Sequence, residues 1–109
     1  MSQKILVLLF VSAVLVSAAC FADDSNANSA ALTGNPIYKK DCAKCHGKTA
    51  EGRHFGGPSL VSEKVAGAST DELRGMIANG KGHMPKFTGK LADSDIDQLV
   101  QQIKAANQK

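Results

Sequence analysis

The sequence lacks tryptophan and has few other aromatic residues, with one tyrosine and four phenylalanines among its 109 residues. It has only three cysteines, so an array of disulfide bonds is excluded as the framework of the fold. Its formal net charge of +3 is too small to indicate nucleic-acid binding. No phosphate-binding loop, dinucleotide fingerprint, paired carboxylates or nucleophile motif occurs, so the common nucleotide-dependent and hydrolytic chemistries have no support.

The N-terminal segment has the pattern of a secretory signal. Lys4 precedes an apolar run at residues 5–16, and small residues surround Cys20 and Phe21. This run of about 12 residues is shorter than the ~20 residues that a membrane-spanning helix needs. We therefore predict a signal peptide at residues 1–22. An uncleaved membrane anchor and a lipid on Cys20 are the alternatives.

The residues that follow the signal are mostly polar. Residues 23–32 are rich in Asp, Ser, Asn and Ala, which predicts a disordered leader. The globular domain is then expected at residues 33–109. A domain of roughly 75 residues buries too little apolar surface to be comfortably stable without a cofactor or a covalent crosslink.

The most specific motif is CAKCH at residues 42–46. Cys42 and Cys45 lie about one helical turn apart, so both thiols can reach the two vinyl groups of one porphyrin. His46 follows directly and can ligate the iron with its imidazole. The motif therefore predicts covalent attachment of one haem c, a cofactor that bacteria attach outside the cytoplasm.

Three other interpretations of the motif are weaker. Zinc needs four ligands, and the adjacent Cys45 and His46 would strain a tetrahedron completed by His54 or His83. A thioredoxin-like redox pair expects a strand upstream, and the sequence has no such pattern. A disulfide between Cys42 and Cys45 would close too small a loop to stabilise the fold much, and it would leave His46 without a role.

Helical signals lie on both sides of the motif. Residues 33–35 can cap a helix with Pro36 in its first turn, and this helix leads into the motif. Residues 69–72 (STDE) form a capping box for a second helix that Gly80 ends. Residues 93–94 begin the last helix, in which apolar residues recur at spacings of three, four and seven: Ile96, Leu99, Val100 and Ile103.

Together these features resemble the small class I cytochromes c of bacteria, most closely the single-haem carriers of cyanobacterial and algal photosynthesis and their bacterial relatives. Gly34 and Tyr38 stand eight and four residues before Cys42, where the family has a glycine and an aromatic residue at the crossing of its terminal helices. Residues 57–60 (GPSL) are similar to the loop whose proline carbonyl accepts the N–H of the proximal imidazole. Residues 80–87 (GKGHMPKF) are similar to the loop of the methionine ligand.

The chain departs from the family pattern in places. Gln102 stands where the last helix usually carries an aromatic residue, so the helix crossing is expected to lose a packing partner. Tryptophan is absent, and His83 occupies a position that is usually small.

The resemblance implies an all-α cytochrome c fold, with three to four short helices around one covalently attached haem. It also implies that His46 and Met84 ligate the iron. Met84 lies in a loop that Pro85 stiffens, whereas Met76 is expected in the apolar core of a helix. His83 is the rival ligand, but a residue one step along an extended loop points to the other face. No catalytic residue is expected.

An iron with both axial positions filled favours electron transfer over substrate chemistry. We therefore expect a periplasmic electron carrier that is not an enzyme. Its partners would be redox proteins or membrane electron-transfer complexes with acidic docking faces, which five lysines around the haem edge would attract: Lys44, Lys48, Lys81, Lys86 and Lys90. A haem enzyme or sensor with a labile sixth ligand, and a haem subunit of a larger oxidoreductase, are the alternatives.

Overall fold

The computed structural model describes residues 24–108. The signal peptide predicted at residues 1–22, including Cys20, lies outside the described residues. The described part is helical and has no strand. Its elements are α1 (Asp24–Gly34), a π-helical turn (Tyr38–Cys42), α2 (Ala43–His46), α3 (Glu63–Ala66), α4 (Thr70–Asn79) and α5 (Asp93–Ala106). The predicted all-α class is thus confirmed. Among these helices, none has the length and apolar character needed to cross a membrane.

Helix α1 corrects the prediction of a disordered leader at residues 23–32. The helix begins at Asp24 and ends at Gly34, so the domain extends further toward the N-terminus than residue 33. Leu32 is fully buried, and α1 packs on α5. The prediction was wrong because it rested on the polar composition of the segment alone. Packing of Leu32 against α5 holds this helix on the core, and composition does not reveal such a tertiary contact.

The segment between α1 and the cysteine motif begins with a side-chain cap, as predicted from residues 33–35. The Asn35 side chain accepts a hydrogen bond from the backbone N–H of Ile37 (2.9 Å), so Asn35 caps the next segment and Pro36 follows it. The segment then widens into a π-helical turn, in which Ala43 N–H donates to the Tyr38 carbonyl. No pattern in the sequence predicts this wider turn.

The two C-terminal helices follow the sequence closely. Ser69 and Glu72 form the predicted capping box of α4, and Gly80 ends that helix. Helix α5 begins at Asp93 as predicted, although its N-cap residue makes no side-chain hydrogen bond. Arg74 on α4 forms ion pairs with Asp93 and with Asp97 on α5, so charged side chains link the two helices at the surface.

The core lies between α1, α4 and α5. Its most fully buried large side chains are Tyr38, Leu32, Ile96, Leu99 and Val100. At the crossing of α1 and α5, the Asn35 side chain donates a hydrogen bond to the side-chain oxygen of Gln102 (2.8 Å), and Asn35 is only 7% exposed. The departure at Gln102 therefore replaces an aromatic contact with a polar one, rather than leaving the crossing without a partner.

Candidate functional site

His46 is buried and fixed in orientation. Its Nδ1 lies 2.8 Å from the backbone carbonyl oxygen of Pro58. A carbonyl oxygen can only accept, so Nδ1 carries the proton and Nε2 keeps a free lone pair. A Cβ atom at Gly57 would lie 2.9 Å from the imidazole ring, so glycine is needed there for the Pro58 segment to approach. The resemblance implied this contact with Pro58, and the structure contains it.

The two motif cysteines lie close to His46 in the chain. Cys42 ends the π-helical turn just before α2, and Cys45 lies within α2. Cys42 is half-buried, Cys45 is exposed, and both are free thiols, so they form no disulfide with each other. Burial raises the pKa of the Cys42 thiol to about 11, with further contributions from Asp41 and Cys45. Before haem is attached, Cys42 is therefore a protonated thiol at neutral pH. Cys42 and Cys45 lie three residues apart, about one helical turn, on one short helical segment, which is the spacing that attachment of both to one porphyrin needs.

The loop after α2 folds back on the motif. The Tyr38 hydroxyl donates to the Gly47 carbonyl (2.6 Å), and Gly52 N–H donates to the His46 carbonyl (2.7 Å). Leu60 N–H donates to the Ala50 carbonyl (2.8 Å) and closes the loop. Burial raises the pKa of Tyr38 to about 12, with a smaller contribution from Cys42. These bonds fix the loop so that the Pro58 carbonyl oxygen lies within hydrogen-bond distance of His46 Nδ1.

Met84 lies on a tight turn after α4. Lys81 and Met84 exchange two backbone hydrogen bonds, of 3.2 and 3.0 Å, with Gly82 at φ +60° inside the turn. A Cβ atom at Gly80 would lie 2.5 Å from the Met84 carbonyl oxygen, so the turn can close only on glycine. His83 at the tip is exposed, whereas Met84 is partly buried and packs on the core. That Met84 rather than His83 is the iron ligand stays a prediction.

The segment after Met84 is fastened to the end of α4. Phe87 N–H donates to the Ile77 carbonyl, and Thr88 donates to the Ala78 carbonyl through both its N–H and its hydroxyl. Phe87 is buried in the core. Met76, which was expected to be a core residue, is 37% exposed, and that prediction is wrong. The helical period places Met76 next to the apolar stripe, but no neighbouring element covers it in the described structure.

The five lysines are all exposed. Lys44 and Lys90 line one groove, together with Lys40, Asp41, Pro85 and Phe87. Lys44 also lines a second groove, with Lys48 and Arg53. Lys81 and Lys86 lie on the loop of Met84, outside both sets of lining residues. Lys44, which lies within the cysteine motif, therefore lines both grooves.

The donor set of these residues suits haem c. It offers two thiols, one imidazole with a free Nε2 and one thioether on a separate loop. Among residues 24–108, no three His, Cys, Asp or Glu side chains cluster in a way that could hold a metal ion, so the zinc interpretation gains no support there. His54, its proposed fourth ligand, is exposed and stacks edge-on against Phe55 instead.

Comparison with known proteins agrees with this site. A family model described as cytochrome C oxidase, cbb3-type, subunit III matches residues 29–103. The chain belongs to the class I cytochrome c family. It is 36% identical over 94 residues to cytochrome c-551 of Bacillus subtilis (strain 168), covering 76% of this chain and 79% of that protein. It is 31% identical over 73 residues to cytochrome c6 of Leptolyngbya boryana, covering 64% and 85% of the two chains.

This cytochrome also resembles a solved structure and part of a larger protein. The c-type cytochrome NirC superposes with a TM-score of 0.55 at 29% identity, covering 67% of this chain and 84% of that chain. The cbb3-type cytochrome c oxidase subunit CcoP of Azospirillum brasilense is 35% identical over 79 residues, which cover 66% of this chain but only 27% of that subunit. The family, the fold and the covalently bound haem c with its iron are thereby confirmed, and the chain is a haem cytochrome of electron transfer.

Proposed function

We propose that this cytochrome is an exported, periplasmic carrier of single electrons, attached to its haem through Cys42 and Cys45 and ligating the iron with His46 and Met84. The observation that carries the proposal is the pairing of a fixed imidazole with a partly buried thioether on an independent loop. When bound, the haem supplies an iron that cycles between the ferrous and ferric states. If His46 and Met84 both ligate the iron, no ligand position would stay open for a substrate, so we propose no enzymatic activity.

The protein side chains have defined tasks in this proposal. The Pro58 carbonyl holds the proton of His46 at Nδ1, which directs Nε2 to the metal and raises its basicity. The closed Lys81–Met84 turn fixes the backbone from which the Met84 thioether would reach the iron. With the imidazole and the methionine turn both held in this way, the protein would need to rearrange little during outer-sphere electron transfer.

Charge supports a docking role for the surface around the motif. Lys44 lines two grooves, whose other charged lining residues include Lys40, Lys48, Arg53 and Lys90, with Asp41 as the one acidic residue among them. Exposed positive charge of this kind steers an acidic partner toward the surface and accelerates encounter more than it increases affinity. Redox proteins or membrane electron-transfer complexes with acidic faces are therefore the proposed partners.

Replacement of Met84 tests the ligation. The oxidised protein should show the weak far-red charge-transfer band of a sulfur ligand, and Met84→Ala should abolish it and open the iron to added imidazole. His83→Ala is the matched control and should keep the band, because His83 is exposed at the tip of the same turn. If the wild type lacks the band and Met84→Ala behaves like the wild type, the iron has another sixth ligand or none, and the enzyme or sensor interpretation takes precedence.

A second candidate function is a haem subunit held permanently in a larger oxidoreductase. The matching family model, described as an oxidase subunit, favours it. Purification of the protein from membranes solubilised with mild detergent separates the two proposals. A carrier elutes alone at its monomer size, whereas a subunit elutes with its complex.

A further inference from the structure

Phe55 is the most exposed large apolar side chain of the described structure. It is 100% exposed, whereas Val61 and Met76 are 38% and 37% exposed. Its backbone has a φ of 63°, a left-handed conformation that bulky residues rarely adopt. Its ring meets the His54 ring edge-on, with centroids 4.3 Å apart. A single exposed apolar residue is ordinary, but an aromatic residue held in a strained conformation and fully in solvent calls for a reason.

The loop that carries Phe55 is tied to α2. Arg53 N–H donates to the Gly57 carbonyl, and Gly56 N–H donates to the Arg53 carbonyl, so residues 53–57 form a closed turn with Phe55 near its tip. The Arg53 side chain donates to the Lys44 carbonyl (2.6 Å), and Gly57 N–H donates to the Cys45 carbonyl (2.6 Å). The ring is therefore presented on a fixed support and loses little conformational freedom when another surface covers it.

The position of this turn matters as much as its rigidity. It is bonded directly to the backbone of Cys45, the exposed thiol of the motif. Arg53 in the turn and Lys44 and Lys48 next to it line a common groove. A partner that covers Phe55 would thus lie against the cysteine motif and face several positive charges at the edge of the contact. Interfaces commonly combine such a central aromatic anchor with a charged rim.

We propose that Phe55 is an apolar anchor for docking, which inserts into an apolar pocket on a redox partner whose rim is acidic. The proposal rests on the electron-carrier function proposed above and adds to it the residue that holds the partner. The cations at the rim orient the approaching partner, and burial of the ring slows its dissociation.

The test uses holoprotein and, as the probe, purified cbb3-type oxidase of Azospirillum brasilense. Stopped-flow spectroscopy measures the second-order rate constant for oxidation of the ferrous cytochrome. Phe55→Asn, which suits the left-handed backbone, should lower this constant about tenfold, and Phe55→Tyr should restore most of it. Val61→Ser, which removes another exposed apolar side chain, should leave it unchanged. The Phe55 effect should persist at high salt, whereas the effect of Lys48→Gln should disappear.

Two further measurements separate docking from other roles. Oxidation of the ferrous protein by hexacyanoferrate, which needs no docking pocket, should be equal for the wild type and Phe55→Asn. The thermal midpoint of Phe55→Asn should be equal to or higher than that of the wild type, since the strained backbone is relieved. A lower midpoint would mean that the ring packs within the protein, and it would overturn the proposal.

The remaining outcomes also decide the matter. Equal oxidase rate constants for the wild type and Phe55→Asn, whether both are fast or both are undetectable, overturn the docking role of Phe55. The electron-carrier function survives that result if hexacyanoferrate still oxidises and dithionite still reduces the protein reversibly. It fails only if the haem does not cycle in this way, so the two failures are distinguishable.

Discussion

Replacement of Tyr38 by phenylalanine should weaken the fold at the position that supports the cysteine motif. The Tyr38 side chain is 1% exposed, and its hydroxyl donates to the Gly47 carbonyl across a distance of 2.6 Å. This bond spans the π-helical turn and α2, because it joins the first residue of the turn to the residue that ends the helix. Tyr38→Phe removes only the hydroxyl and keeps the ring in the core.

The size of the effect follows from what remains after the substitution. The Gly47 carbonyl still accepts from the Ala50 N–H (3.2 Å), so no buried acceptor is left without a partner. The loss is then that of a single net hydrogen bond, about 1 kcal/mol. For a domain of this size, 1 kcal/mol corresponds to a decrease of about 4–8 °C in the thermal midpoint.

Because Tyr38 titrates, the effect of Tyr38→Phe on the free energy of unfolding depends on pH. The folded protein raises the pKa of Tyr38 from 10.0 to about 12, mainly because the phenolate would be buried. The unfolded chain therefore releases this proton at a lower pH than the folded protein does. Titration of Tyr38 therefore leaves the free energy of unfolding unchanged below pH 10. As the pH rises from 10 toward 12, this free energy falls, by at most about 2.7 kcal/mol for two pKa units. The phenylalanine variant has no such loss.

Chemical unfolding of the holoprotein, followed by far-ultraviolet circular dichroism, measures both effects. At pH 8 the wild type should be more stable than Tyr38→Phe, and the difference should shrink and change sign between pH 10 and 12. Equal stability at pH 8, or a difference that stays constant up to pH 12, would refute the reasoning from the buried hydroxyl.

Two other expectations concern the helix crossing and the charged surface. Gln102→Ala should lower the free energy of unfolding by about 1–2 kcal/mol, because it leaves the buried amide of Asn35 without its acceptor, while Gln101→Ala on the exposed face should have little effect in the same guanidinium titration. Lys86→Glu should slow electron transfer to an acidic redox protein at low ionic strength, and the difference from the wild type should vanish in high salt, with exposed Lys64→Glu on α3 as the control. A salt-independent effect of Lys86→Glu would contradict a steering role.

Local signals allowed much of the chain to be predicted. The capping box at Ser69 and the stop at Gly80 bound α4 because both act through hydrogen bonds within a few residues of the chain. The apolar spacing in α5 is equally local, and all four residues of the predicted stripe are buried. The family resemblance added the contact between His46 and the Pro58 carbonyl, which the structure contains.

What could not be predicted depends on contacts between distant segments. Residues 24–32 read as disordered because their composition is polar, yet α5 provides the surface on which Leu32 is buried. The short helix α3 was not predicted, although the Ser62 side chain caps it by accepting a hydrogen bond from Val65 N–H. The exposure of Met76 was also missed, because periodicity shows which face of a helix a residue occupies but not whether another element covers that face.

The crossing of α1 and α5 shows how the fold tolerates a departure from its family. An aromatic residue at position 102 would contribute apolar area, whereas Gln102 contributes a hydrogen bond to an amide that would otherwise be buried without a partner. The Asn35 side chain makes a second hydrogen bond, because its Oδ1 accepts from Ile37 N–H and caps the segment that carries the cysteine motif. The helix crossing and the start of the haem-binding segment therefore share one side chain. We therefore expect a change at position 102 to affect the segment of the cysteine motif through Asn35, as well as the stability of the helix crossing.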